Sequence, residues 1–76
     1  MRLLLIKKTT LEDLPAGSLF LHGGTLGTLG LKSEYHSASG AIEAYIVGTG
    51  EMFWGGTKEV QDQKNVVVME VEIEGL

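Results

Sequence analysis

Cysteine is missing from these 76 residues, and with it two usual supports of a small fold. Neither a disulfide nor the common zinc-knuckle ligand sets can form, and a reducing compartment suits such a chain. Basic residues are few, six against ten acids, for a formal charge of −4. That balance argues against a nucleic-acid polymer as partner, because phosphate backbones are held by a basic face. The acids are too few and too scattered for DNA mimicry. Long apolar runs are absent as well, so no helix that spans a membrane is expected. The apolar stretch Leu3–Ile6 is closed by Lys7 and Lys8 after four residues, too short for a signal peptide. A soluble, cytoplasmic protein is expected.

The length itself is a shortage. A chain of 76 residues makes one domain, 1–76, and at this size only about 60% of the surface exposed on unfolding is buried. Ordering costs on the order of 1.5 kcal/mol per residue, which burial must nearly cancel. With disulfides excluded, association of like chains is the expected support. The run Leu3-Leu4-Leu5-Ile6 fits that expectation. As a strand it points apolar side chains to both faces, and a small single-layer barrel covers only one of them.

Short strands punctuated by glycine fill the rest of the chain. Ser18–His22 runs into Gly23-Gly24, and Leu29–His36 alternates, with Leu29, Leu31, Ser33 and Tyr35 on one side. Ala41–Val47, rich in β-branched and aromatic residues, reads as the best central strand, and Met52-Phe53-Trp54 as a short one. In 66–73, Val67, Met69, Val71 and Ile73 are expected to face inward, with Glu70, Glu72 and Glu74 outward as a guard against edge pairing. Helix has little room. Thr9 and Glu12 form a capping box, but Pro15 ends any helix within one turn, and a second turn is conceivable around Lys58–Gln61. Gly24–Leu31 repeats Gly-Thr-Leu with a period of three, which suits a loop or a bulged strand. The expected fold is all-β: five or six short strands in a bent sheet or SH3-like barrel, with one short helical turn near the N-terminus.

Most chemical motifs fail on inspection. Gly50–Lys58 approaches the phosphate-loop pattern, but position 56 is glycine where lysine should reach the phosphates. Glu34 and His36 are only two ligands, which do not close a metal site, so no metal or cofactor is expected. Ser33, Ser37 and Ser39 lie near His36 without the glycine-flanked turn of a nucleophilic serine, so no enzyme is expected.

One set remains. Phe53 and Trp54, the latter the only tryptophan, sit between glycines with Tyr35 and Tyr45 on neighbouring strands. Aromatic planes beside bare backbone can hold a flat ring by stacking and by amide contacts. The expected ligand- or partner-binding residues are therefore Tyr45, Gly48, Gly50, Phe53, Trp54, Gly55, Gly56 and Thr57. The plainer reading makes Phe53 and Trp54 core or subunit contacts. An internal echo accompanies them: Ser18–Thr25 aligns with Gly50–Thr57, sharing Gly-Gly-Thr 32 residues apart.

The phrase Leu11-Glu12-Asp13-Leu14-Pro15-Ala16-Gly17-Ser18-Leu19-Phe20 resembles the opening of short bacteriophage-encoded β-rich proteins, written Leu-x-x-Leu-Pro-x-Gly-x-x-Phe. The strand Leu31–Tyr35 after a glycine turn is similar to that group too. The resemblance covers about a third of the chain and carries a turn-then-strand phrase, with no catalytic residues. It implies a phage accessory protein that acts stoichiometrically, in counter-defence or host takeover, by inhibiting a host protein or sequestering a small nucleotide signal. The alternative is a structural component of a phage assembly. In either case a homo-oligomer is expected.

Overall fold

A computed structural model of the protein describes residues 2–24 and 27–74. It contains strands β1 (Arg2–Thr10), β2 (Leu19–His22), β3 (Thr28–His36), β4 (Ile42–Ile46) and β5 (Val67–Glu74), with a single helix α1 (Val60–Lys64) before β5. All five strands form one antiparallel sheet in the order β1-β5-β2-β3-β4. The all-β expectation holds. The barrel does not close: among the described residues no ladder joins β1 to β4.

The main core lies on one face of the sheet. Phe20, Ala44, Ile42 and Val68 project from it and meet Leu11 and Leu14 of the β1–β2 connection and Phe53 of the β4–α1 connection. Gly30 lies opposite Phe20 in the ladder, and a Cβ there would clash with Cζ, Cε1 and Cε2 of the Phe20 ring. The missing side chain of Gly30 leaves that space to the ring.

Long-range pairing corrects several expectations. In β5 the alternation is present and both sides bury a valine: Val71, on the side expected to face inward, and Val68, on the glutamate side, are each 2% exposed, Val68 joins the main core, and Val67 is exposed. The core formed on the side where Leu11, Leu14 and Phe53 supply a cover. β5 lies between β1 and β2, so Glu70 guards no edge, whereas β2 pairing stops at Val71 and Glu72 and Glu74 stand where β5 pairs with β1 alone. β4, expected to be central, ends the strand order; its outer side is bonded by a non-strand segment, through Ile46 N–H to Glu51 O (2.8 Å) and Phe53 N–H to Ala44 O (2.7 Å). Met52 contributes a single bridge to Tyr45 rather than a strand.

The turn after β1 is one residue later than the Thr9 box places it. Thr10 Oγ1 accepts from Asp13 N–H at 3.2 Å, and Leu14 N–H closes one turn onto Thr10 O at 2.9 Å. Among the described residues the one helix is α1, which overlaps the second turn expected around Lys58–Gln61. Thr25 and Leu26 of the Gly-Thr-Leu repeat lie outside the described residues. Among the described residues, no helix is long and apolar enough to cross a membrane.

Candidate functional site

On the covered side of the sheet, beyond the core, the ends of three strands and the 53–58 segment enclose an open cleft of about 650 Å³. His22 closes β2, Thr28 opens β3 and Ile46 closes β4, so the cleft sits where three strands stop together. The remaining wall is continuous in sequence: Phe53, Trp54, Gly55, Gly56, Thr57 and Lys58.

Backbone bonds hold that wall in place. Phe53 N–H donates to β4 at Ala44 O. On its other side Phe53 O accepts from Gln63 Nε2 at 2.9 Å. Gln63 is completely buried; its Oε1 accepts from Ile42 N–H at 2.8 Å and its Nε2 also donates to Ile42 O at 2.9 Å. One helical glutamine thus ties α1, β4 and the start of the wall together.

Beyond Phe53 the chain turns sharply, with Thr57 N–H reaching Trp54 O at 3.5 Å. The two central residues, Gly55 (φ 69°) and Gly56 (φ 85°), both have positive φ. That pair belongs to a type I′ turn, which favours glycine at both positions. Gly55 has a second reason to be glycine, since a Cβ there would come within 2.6 Å of Val66 Cγ2. A Cβ on Gly56 would meet nothing within 4 Å, so the backbone there is bare toward solvent.

The rings are graded by depth. Phe53 is buried, edge-on to Phe20 with centroids 4.9 Å apart, and His22 packs edge-on against it at 5.2 Å. Phe53 is therefore the floor of the cleft and part of the core. Trp54 is half-buried and forms a side wall. At the rim stand Lys58, exposed, and the hydroxyl-bearing residues Thr28 and Thr57. Thr57 Oγ1 accepts from Glu59 N–H at 3.2 Å, starting the approach to α1. Among the described residues lining the cleft the ionisable groups are His22 and Lys58, with no carboxylate.

Five of the eight residues expected from sequence meet in this cleft: Phe53, Trp54, Gly55, Gly56 and Thr57. The other three do not. Tyr45 points to the opposite face of the sheet, where its hydroxyl donates to Glu43 Oε1 at 2.6 Å; that bond, with desolvation and the nearby charge, raises its pKa above 10.0. Gly48 and Gly50 belong to the exposed turn after β4, with Gly50 N–H bonded to Ile46 O at 2.9 Å. His22, Thr28, Ile46 and Lys58 were missed. The signal for His22 was the internal echo: it precedes Gly23-Gly24 as Trp54 precedes Gly55-Gly56, and the two rings line one cleft.

Compared with known proteins, the chain matches no family model, no curated protein and no solved structure.

Proposed function

We propose that this is a non-catalytic binding protein whose cleft takes a small nucleotide, with its base against Trp54 and its phosphate toward Lys58 and the bare Gly55-Gly56 backbone. The observation that carries this reading is the sign of the cleft. In a chain with ten acids and six bases, the cleft is lined by His22 and Lys58 and by no carboxylate. Its volume falls within the ~300–1,000 Å³ of small-molecule sites. Stacking of a base on an aromatic side chain is worth about 1–3 kcal/mol, and Trp54 is the one indole available. A phage accessory protein that holds a nucleotide signal away from its host would need a cleft of this kind and no catalytic group.

Thermal unfolding with a panel of nucleoside mono-, di- and cyclic phosphates tests the reading. Ligand at a hundredfold excess over Kd adds about 2.7 kcal/mol of stability, a shift of several degrees for a domain of this size. One class in the panel is expected to give that shift, and Trp54→Ala is expected to weaken its binding roughly 10- to 100-fold. A panel with no shift, beside a stoichiometric protein captured from host lysate in a Trp54-dependent way, would replace the nucleotide with a host protein as the occupant.

A further inference from the structure

The face of the sheet turned away from the core and the cleft is apolar from edge to edge. Residues directly opposite in a ladder share a face, and the registers place Leu5, Val71, Leu19, Leu31 and Tyr45 in one row across all five strands. The neighbouring row holds Met69, Leu21 and Leu29, extended to Val47 by its N–H bond to Leu29 O at 2.9 Å. Its rim is open, with Leu5 55%, Val47 51%, Leu31 42% and Tyr45 38% exposed, while Val71 (2%) and Leu21 (6%) in its middle are already buried. An antiparallel sheet with one free face ordinarily presents polar residues there. This one presents leucine.

We propose that two copies of the chain pack outer face to outer face across a two-fold axis. Two observations select a second copy. The first is the breadth of the patch: Leu5, Leu31, Tyr45, Val47 and Val67 are each 38% or more exposed and reach from β1 to β4, a spread that suits face-to-face packing of two sheets.

The second is charge. Along the two rows and their ends the charged strand residues on this face are Lys8 and Glu43. Lys8 pairs with Met69 at the β1 end of the second row, and Glu43 lies two residues before Tyr45 at the β4 end, on the far side of the first. They occupy diagonal corners. A two-fold axis lying in the interface, perpendicular to that diagonal, seats Lys8 of each protomer over Glu43 of the other, as an isologous contact allows. Extension of the sheet through the β1 edge is the competing geometry. Lys7, Lys8 and the bulge between Leu5 and Lys7 oppose it.

Sedimentation velocity at tens of micromolar, with variants, tests the proposal independently of any ligand, since the cleft is on the other side of the sheet. The wild type is expected to sediment as a dimer, and Leu31→Glu as a folded monomer with an unchanged circular-dichroism spectrum. Lys8→Glu alone should raise the dimer dissociation constant about tenfold or more by setting like charges together. The double variant Lys8→Glu with Glu43→Lys should restore it. A monomeric wild type overturns the proposal. So does a dimer indifferent to Leu31→Glu, or a charge swap that fails to restore Lys8→Glu while each variant remains folded.

Discussion

Gln63 is the residue on which the cleft most depends, although it does not line it. Its side chain satisfies one backbone N–H and two carbonyls inside the core, and an unpaired buried group costs about 1–3 kcal/mol. Gln63→Ala is expected to lower unfolding stability by about 2–4 kcal/mol in urea titrations, whereas Asn65→Ala, whose bond to Gln61 O is exposed, should change it by less than about 0.5 kcal/mol. Gly30→Ala drives a methyl group into the Phe20 ring and should cost about 1–3 kcal/mol by the same assay. Lys32 is a different case. Its ammonium reaches under the β1–β2 connection to Glu12 O (2.8 Å) and Leu14 O (2.5 Å). Desolvation lowers its pKa from 10.5, with Glu12 and Asp13 pulling the other way. The unfolded chain then binds the proton more tightly between the folded pKa and 10.5, so the stability due to this group rises with pH through that interval. Urea melts at about pH 8 and about pH 10 should show the advantage of wild type over Lys32→Met widening.

Among the elements, β1 and β5 run on past the end of β2. β2 pairs with β5 only from Met69 to Val71, so Arg2–Leu4 and Glu72–Glu74 form a two-stranded ribbon. Such a ribbon has little stability of its own, and its exposed Arg2–Glu74 pair (2.7 Å) adds little. Amide exchange at Leu3 and Leu4 is expected to be faster than at Phe20 and Leu21, and slow exchange there in a monomeric variant would contradict the assignment. Strand existence was legible because alternation and glycine punctuation are local signals. That Val68, on the glutamate side of β5, joins the main core was not, because that depended on Leu11, Leu14 and Phe53 arriving from distant segments. The rank of β4 was hidden for the same reason: nothing in Ala41–Val47 reveals that 51–53 will bond its outer side in place of a strand. Of the site, Phe53–Thr57 was legible from one contiguous glycine-bracketed phrase. His22, Thr28, Ile46 and Lys58 join it only through the folded sheet.

For the whole molecule, the sheet divides two surfaces of opposite character. One side carries the core and, beyond it, a cleft lined by a tryptophan, a histidine and a lysine. The other carries the leucine-rich rows. Several apolar side chains, Leu5, Leu31 and Val47 among them, stand exposed on the far side of the sheet from Trp54. A dimer built on those rows would leave both clefts open to solvent. Ligand binding and assembly should therefore separate cleanly: Leu31→Glu is expected to leave nucleotide affinity unchanged, and Trp54→Ala to leave the sedimentation coefficient unchanged.

Because Trp54 is the only tryptophan and stands in the cleft wall, its fluorescence reports on the proposed site directly. Titration of the purified protein with the nucleoside phosphate panel is predicted to give saturable quenching by one class, weakened by added salt and by Lys58→Ala. Emission that stays constant across the panel would contradict the nucleotide-binding account.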